Sequence, residues 1–256
     1  MIRRILIANR GEIAVRIIAT CRRLGIETVL AASQADLRSL PARLADRVVC
    51  IGPAPSARSY LDADAILAAA RSEQCDAIHP GYGFLSESTV LAAAARRAGI
   101  VFIGPTDAQL AGAGDKLRAR ELAVAAGLPV VPGGAARTEA EAQAIVAGIG
   151  CPILVKAVGG GGGRGMKLLL DPAKTGETIA LAMAEAEAAF GDARVYLERF
   201  VARGRHVEVQ LLGDGETVIA LGDSDCSIQR RYQKMVEEAP APGLDAALRA
   251  RLHDAA

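Results

Sequence analysis

The sequence has no tryptophan and few aromatic residues of any kind, since phenylalanine and tyrosine together make up 3% of its 256 residues. Proteins that hold single-stranded nucleic acid stack its bases on aromatic side chains, so this composition argues against such a surface. The formal net charge is only +1, so no overall field attracts nucleic acid or an anionic membrane. These absences favour a function that involves neither partner.

Long apolar runs are also absent. No stretch approaches the roughly 20 apolar residues that cross a bilayer. The segment 1–10 lacks a long apolar region and a cleavage pattern, so it is predicted to be a first strand and not a signal peptide. The five cysteines are odd in number and lie far apart. This usage argues against a disulfide framework or a zinc site, and it predicts a cytoplasmic protein with no membrane partner.

Lysine is scarce as well, because only five of the 30 basic residues are lysine. Arginine serves as the general surface cation, so the remaining lysine positions are mildly enriched in sites that need a compact ammonium group. Phosphate neutralisation is one such need, although chance retention explains any single lysine equally well. The five are Lys116, Lys156, Lys167, Lys174 and Lys234.

The first half of the chain alternates short apolar runs with segments of helical periodicity. Ile13, Ile17 and Cys21 recur at helical spacing, and Gly25 stands where that helix should end. The alternation predicts a parallel sheet covered by helices, hence a Rossmann-like domain over residues 1–112. The first turn lacks G-x-G-x-x-G, so no dinucleotide is assigned. Strands are predicted at 2–9, 26–32, 48–51, 77–79 and 100–103, and helices at 12–24, 60–71 and 90–98.

Five consecutive glycines at 159–163 are the strongest functional signal. Lys156 and an apolar run precede them and the run 166–170 follows, which predicts strand, turn and strand, whereas a P-loop opens into a helix. Ordering such a segment costs much backbone entropy, so it suits a backbone that must lie against a ligand. With Arg164 and Lys167 nearby, the loop is interpreted as a lid that closes over phosphates. A flexible surface turn is the less favoured alternative.

The second half is antiparallel in character. The segment 206–211 alternates polar and apolar residues, and Gly213-Asp214-Gly215 turns it into a second strand at 217–221, which predicts a hairpin. This change of pattern sets a domain boundary near residue 112, with a second domain over 113–256. Helices are predicted at 115–126, 138–148 and 173–190, and a further strand at 195–198.

A set of motifs in fixed order extends over nearly the whole chain. They are Ile7–Ala14, Ile51–Ser56, His79–Glu87, Ile103–Pro105, Gly114–Lys116, the glycine loop, Arg205–Glu208, Asp225–Arg231, Lys234 and Glu237–Pro242. On these motifs the chain resembles the biotin carboxylase component of biotin-dependent carboxylases, within the ATP-grasp superfamily. The resemblance implies an α/β fold: a Rossmann-like N-terminal (pre-ATP-grasp) domain, then an incomplete ATP-grasp domain whose glycine-rich lid covers about 130–203.

The resemblance also implies a reaction. Biotin carboxylases use MgATP to activate bicarbonate as carboxyphosphate and then carboxylate biotin on a carrier protein, here as part of an acyl-CoA carboxylase. Such phosphoryl transfer depends mainly on charge neutralisation and positioning. The implied cofactors and partners are ATP, Mg²⁺, bicarbonate, biotin on its carboxyl carrier protein or domain, and a carboxyltransferase subunit. A homodimer is implied for the full-length form.

Site residues follow from the same resemblance. The implied ATP-binding residues are Lys116, Lys156, Gly162, Gly163, Glu198, Arg199, Phe200, Val201, His206, Gln229 and Tyr232. Lys234 is the implied catalytic residue and holds bicarbonate, while Tyr82 approaches biotin. On pattern alone, the less favoured alternative for His206 is a surface histidine of a strand. A structural role for Lys116 is disfavoured, because its cation would oppose a helix dipole.

Other residues keep simpler alternatives. Lys234 could pair with Glu237 or Glu238 on a helix, which is an even choice without the resemblance. His79 is expected to order the loop at a strand end, and His253 is expected to be solvated.

The chain also departs from the family pattern. Tyr232 and Asp223-Ser224 replace the usual residues, and the family continues with metal-binding glutamates that are not in this sequence. No metal ligand is therefore expected here, with the Mg²⁺ ligands mostly beyond the C-terminus, and the hypothesis is that the chain is the N-terminal part of a carboxylase that does not turn over alone. The alternatives are a non-catalytic ATP-binding fragment or another ATP-grasp ligase.

Overall fold

A computed structural model describes residues 2–159, 166–230 and 233–256. The chain divides into two compact units, Met1–Ala119 and Arg120–Ala256. The boundary predicted from the sequence lies slightly earlier and stays a prediction. Within the described ranges, none of the helices combines the length and the apolar character needed to span a lipid bilayer.

The first unit contains a parallel sheet. Its strands lie in the order β3-β2-β1-β4-β5, and every pairing is parallel, as the sequence pattern predicts. The strands are β1 (Arg4–Ile7), β2 (Glu27–Ala32), β3 (Arg47–Cys50), β4 (Ala77–His79) and β5 (Val101–Phe102). The helices are α1 (Gly11–Arg23), α2 (Leu40–Leu44), α3 (Ala63–Ser72), α4 (Thr89–Arg97) and α5 (Asp107–Gly114), and α6 (Lys116–Ala125) follows in the chain.

Both faces of this sheet are buried, because alternate residues of a strand point to opposite sides. Leu6 packs with Ile66 of α3 and Leu91 of α4 on one face. Ile7 packs with Ile17 of α1 on the other. The helical spacing of the apolar residues in α1 therefore marks its buried side, as predicted.

One helix end was predicted correctly from the sequence, and one helix was missed. Gly25 follows α1 with a φ of 67°, a left-handed conformation that suits glycine, so the predicted helix end is confirmed. Helix α5 was not predicted, although Thr106 and Gln109 form a capping box at its start. Its 107–114 segment is rich in alanine and glycine, which gives the helix little amphipathic periodicity.

The second unit contains a four-stranded antiparallel sheet in the order β6-β9-β7-β8. Helices α7 and α8 pack on one face over Ile153, Val155 and Leu197. The strands are β6 (Gly133–Ala136), β7 (Ile153–Ala157), β8 (Lys167–Leu169) and β9 (Val195–Arg199), and the helices are α7 (Glu139–Ile149) and α8 (Thr175–Phe190).

The strand, turn and strand predicted around the glycine loop is confirmed in its flanks. Strands β7 and β8 pair antiparallel, with Val155 opposite Lys167, and the next helical turn begins at Pro172. The loop at 160–165 lies outside the described residues. This sheet and its helices fall inside the range 130–203 predicted as a lid, and their movement as a lid stays a prediction.

A second antiparallel sheet, β10-β11-β12, follows in the same unit. Strand β10 (Val207–Gly213) pairs with β11 (Val218–Arg230), so the predicted hairpin is confirmed and its second strand is longer than expected. Strand β12 (Gln233–Glu238) pairs back onto β11. Helix α9 (Ala246–Ala255) comes last. Strands β6 and β12 and helix α9 were not predicted.

Candidate functional site

The face of the four-stranded sheet that points away from its helices carries charged side chains. Val195 and Leu197 of β9 lie in the core, so Tyr196 and Glu198 between and beyond them project to the opposite face. Lys156 of β7 lies directly opposite Tyr196, and its Nζ lies 2.5 Å from Oε1 of Glu198. Two predicted ATP-binding residues, Lys156 of β7 and Glu198 of β9, thus form one ion pair.

The hinge predicted for adenine lies where β9 ends. The Arg199 N–H donates to the Pro132 carbonyl and the Phe200 N–H donates to the Pro152 carbonyl, both at 2.9 Å. Val201 follows outside the strand and is 57% exposed, and its N–H has no hydrogen-bond partner among the described residues. The end of β9 therefore offers a free backbone donor.

A second cluster lies on the three-stranded sheet. His206 Nδ1 is 2.8 Å from Nε2 of Gln229, and that amide also donates to the Cys226 carbonyl at 2.9 Å. The carboxylate of Glu208 accepts from Lys234 Nζ and lies 3.0 Å from Nε2 of His206. Three predicted site residues, His206, Gln229 and Lys234, are therefore brought together, and Glu208 joins two of them.

Charge pairing sets the ionisation of this cluster. The hydrogen bond from Lys234 holds the pKa of Glu208 below its usual range, although partial burial opposes that shift. The same contact raises the pKa of Lys234. Both groups therefore stay charged around neutral pH, which keeps an ammonium group at a fixed place on the sheet.

Glu208 was not predicted as a site residue, although the sequence contained its signal. His206 and Glu208 are two residues apart in a strand-like segment, so their side chains project to the same side. The alternative that placed Lys234 on a helix with Glu237 or Glu238 is wrong. Lys234 lies on β12 opposite Gln229, because the segment pairs with β11, and its carboxylate partner comes from a different strand.

A buried carboxylate anchors the segment that follows β12. Asp223 Oδ1 accepts from the Ala241 N–H at 2.8 Å, and Oδ2 accepts from Arg249 Nε at 2.8 Å and lies 3.0 Å from His253 Nε2. Arg249 also donates to the Ala241 carbonyl at 2.9 Å. The expectation that His253 is solvated is wrong, because α9 packs against β11 and turns its imidazole onto Asp223.

In the first unit, polar groups hold the loop after β4. The buried Asn9 side chain donates to the Pro80 carbonyl at 2.8 Å and to the Tyr82 carbonyl at 2.7 Å. His79 Nδ1 accepts from the Gly81 N–H at 3.1 Å, which confirms the loop-ordering role predicted for it, and burial lowers the pKa of His79. Gly81 has a φ of 63°, and a Cβ there would lie 2.7 Å from Asn9 Nδ2. Tyr82 is 62% exposed at the loop surface.

Replacing Asn9 should loosen this loop. The Asn9→Ala change leaves two carbonyls without their donor, so we expect a loss of about 2–3 kcal/mol in the stability of the first unit. Hydrogen exchange of the amides at 81–86 should accelerate. The Asn9→Asp variant should be no better, because a carboxylate presents acceptors to both carbonyls. An aspartate variant with wild-type exchange rates would contradict this role, and Gln34→Ala is a surface control.

Some predicted residues remain without a structural account. Lys116 begins α6, but its side chain is not described. Gly162, Gly163 and Tyr232 lie outside the described residues. Within the described part of the chain, no group of three or more His, Cys, Asp or Glu side chains could hold a metal ion.

Comparison with known proteins extends these observations. Residues 1–110 match the family described as biotin carboxylase, N-terminal domain, and residues 115–256 match the carbamoyl-phosphate synthase L chain, ATP binding domain. The biotin carboxylase of Pseudomonas aeruginosa is 50% identical over 249 residues, which cover 96% of this chain and 56% of that protein. The chain spans about half the length of the curated relatives it matches.

Solved structures show the same likeness. The biotin carboxylase–beta-gamma-ATP complex from Campylobacter jejuni superposes with a TM-score of 0.95 at 43% identity, over 100% of this chain and 58% of that one. The biotin carboxylase domain dimer of Hydrogenobacter thermophilus 2-oxoglutarate carboxylase, in complex with MgADP, ADP and bicarbonate, gives a TM-score of 0.93 at 40% identity, over 100% and 57%. Likeness at this level in both halves leaves one assignment: the chain belongs to the biotin carboxylase family of ATP-grasp proteins.

Proposed function

We propose that this chain supplies the nucleotide and bicarbonate contacts of a biotin carboxylase within an acyl-CoA carboxylase. In that reaction ATP phosphorylates bicarbonate to carboxyphosphate, and the carboxyl group passes to biotin on a carrier protein. The observation that carries the proposal is the cluster in which Glu208 holds Lys234 and His206 beside Gln229. It places a fixed cation among hydrogen-bonding groups, which is the arrangement that an anionic substrate needs.

Lys156 is proposed to bind the phosphates of ATP. Its ammonium group is partly buried, with 27% of the side chain exposed, and Glu198 fixes its position. A pre-positioned cation loses little conformational freedom when a phosphate arrives. The five glycines at 159–163 begin three residues after Lys156, and their backbone N–H groups are proposed to bind the same anion. Lys116, Gly162 and Gly163 are proposed as further phosphate contacts on the resemblance alone.

The end of β9 is proposed to bind the adenine edge. In an antiparallel pair, two opposed residues exchange two hydrogen bonds, but Pro132 has no N–H to return to the Arg199 carbonyl. That carbonyl therefore remains available to the exocyclic amino group of adenine, which is a donor. The free Val201 N–H then suits a ring nitrogen on the same edge. Glu198 and Phe200 frame this hinge, and Tyr232 is retained in the proposed nucleotide site.

Lys234 is proposed as the residue that holds bicarbonate. A compact ammonium group with three donors suits a small anion that has no bidentate fork to match. Glu208 keeps this cation in place. His206 and Gln229, which lie within hydrogen-bond distance of each other, are proposed to contribute hydrogen-bonding groups to the nucleotide.

The remaining contacts are proposed from the family. Tyr82 is proposed to approach biotin, and the partners are the biotin carboxyl carrier protein or domain and the carboxyltransferase, with a homodimeric full-length form in the cytoplasm. Mg²⁺ accompanies ATP in this chemistry. Among the described residues, no group of three or more His, Cys, Asp or Glu side chains is placed to hold a metal ion, and no catalytic step is assigned to a metal here.

The test is ADP release by the carboxylase that contains this chain, with and without bicarbonate and biotin. We expect Lys234→Gln to reduce bicarbonate-dependent release by about 100-fold or more while the dissociation constant for ATP changes less than about threefold. Lys174→Gln, at an exposed lysine, is the matched control.

Three outcomes would contradict the proposal. A Lys234→Gln variant with normal ADP release would remove the bicarbonate role. Release that requires ammonia or an amino acid in place of bicarbonate would indicate another ATP-grasp ligase. ATP binding without any bicarbonate-dependent release would indicate a non-catalytic nucleotide-binding module.

A further inference from the structure

An arginine near the Lys156–Glu198 pair has no carboxylate partner. The guanidinium carbon of Arg120, on α6, lies 5.6 Å from the ring centroid of Tyr196. Within the described part of the chain, no ion pair or hydrogen bond involves the Arg120 side chain. The residue is only partly exposed, so its charge is partly withdrawn from water without compensation. A cation–π contact recovers only about 0.5–2 kcal/mol of such a cost.

The tyrosine beneath it is also unsatisfied. Tyr196 is 7% exposed, and its hydroxyl has no hydrogen-bond partner among the described residues. Buried hydroxyl groups are almost always paired, so an orphan group of this kind indicates a missing partner. The Arg120 guanidinium, which has no carboxylate partner, therefore lies over the same tyrosine whose hydroxyl is unpaired.

Tyr196, with Arg120 over its ring, lies beside the Lys156–Glu198 ion pair. Tyr196 is directly opposite Lys156 in the β7–β9 register, and such opposed residues have Cβ atoms only about 5 Å apart. Burial raises the pKa of Tyr196, the charge of Arg120 opposes that shift, and the charge of Glu198 adds to it. Both charged groups therefore act on the same phenol.

We propose that Arg120 and the Tyr196 hydroxyl form a further anion subsite of the nucleotide site, which contacts a phosphate oxygen of ATP. The inference rests on the proposed function, since it adds two residues to the site proposed around Lys156. A guanidinium that faces an aromatic ring keeps its N–H donors for an anion, and its planar fork matches two oxygens of one phosphate. Glu198 already neutralises Lys156, so Arg120 supplies the uncompensated positive charge on this face.

Titration calorimetry of the chain with ATP and with adenosine tests the subsite. We expect Arg120→Met to raise the dissociation constant for ATP about tenfold and to leave that for adenosine within about twofold, because only the phosphate contact is lost. Tyr196→Phe keeps the ring and removes the hydroxyl, so a rise of about threefold is expected. Arg118→Met, at an exposed arginine on the same helix, is the matched control and should bind ATP like the wild type.

The other outcomes separate this inference from the proposed function. If Arg120→Met weakens ATP and adenosine equally, the arginine acts only through the fold and the subsite is refuted. Arg120→Lys restores a charge without the fork, and full recovery of ATP affinity in that variant would refute the bidentate contact. If Arg120 variants bind ATP normally while Lys156→Met does not, the subsite fails and the nucleotide site stands. A wild-type chain that binds no ATP overturns both.

Discussion

The Lys156→Met variant should bind ATP about 10–100-fold more weakly than the wild type, as expected when a charge-assisted contact worth about 1.5–3 kcal/mol is lost. The methylene stem that packs on the sheet is retained in methionine, so the change removes the charge and little of the shape. Direct titration with ATP, at one fixed salt concentration, measures the effect.

A substitution of Lys156 alone removes the phosphate contact and also breaks the ion pair with Glu198. Removing Lys156 leaves the Glu198 carboxylate, of which 21% is exposed, without its partner at 2.5 Å, and an unpaired carboxylate would repel a phosphate and destabilise the sheet. The double variant Lys156→Met/Glu198→Gln removes both charges. We expect it to recover thermal stability and only part of the lost ATP affinity, because the attractive cation is still missing.

An exposed lysine outside the strands of this sheet provides the control. Lys174 lies in the helical turn Pro172–Lys174, so Lys174→Met changes the net charge of the chain equally. It should alter ATP affinity less than about threefold. Equal losses in the two single variants would indicate a general charge effect and would contradict a phosphate contact at Lys156. Complete recovery of affinity in the double variant would contradict it as well.

The first unit was the most predictable part of the fold from the sequence, for a physical reason. A strand buried on both faces must be apolar throughout, and a helix that covers it must be apolar on one side, so β1 and α1 each carry a strong local signal. Strand β6 has the sequence Gly-Gly-Ala-Ala and carries none. Its place in the sheet is set by pairing with β9, which is a contact between distant residues.

The resemblance predicted individual residues of the candidate site. It did not predict which side chains contact one another there. His206, Gln229 and Lys234 were each implied, but the structure alone brings in Glu208 as their shared partner. Arg120 shows the same limit, because an arginine in an alanine-rich helix is unremarkable until Tyr196 of a distant strand lies beneath it. The partners of polar side chains depend on tertiary packing, which single-sequence periodicity does not contain.

Replacing Asp223 should give one of the largest stability losses in the second unit. Its side chain is 1% exposed and accepts from the Ala241 backbone and from Arg249. The Asp223→Asn variant keeps the volume and loses the negative charge, so Arg249 is left without a counter-ion beside a polar amide. We expect the melting temperature to fall by about 5–10 °C. Asp254→Asn, at an exposed carboxylate on α9, should change it by less than about 2 °C.

The same carboxylate predicts how stability depends on pH. The hydrogen bond from Arg249, with the Ala241 N–H and His253, holds the pKa of Asp223 below its usual range against the effect of burial. A lowered folded-state pKa means that the stabilisation is fully present above the unfolded value of about 3.9 and is lost as the pH falls through the folded value. The wild type should therefore lose its stability advantage over Asp223→Asn as the pH falls below about 4.

Other carboxylates titrate in the same pH range, but their contributions to stability cancel in the difference between the wild type and Asp223→Asn. Arg194 lowers the pKa of Asp192 to about 2, and hydrogen bonds from Ser227, with Arg205 nearby, lower that of Asp225 to about 2. Both groups are present in the wild type and in Asp223→Asn, so the difference between the two unfolding curves isolates residue 223. Urea unfolding at pH 7, 5, 4 and 3 measures that difference. A constant difference across this range would show that the Asp223 charge does not stabilise the fold, and that the variant acts only by disturbing the packing of α9 on β11.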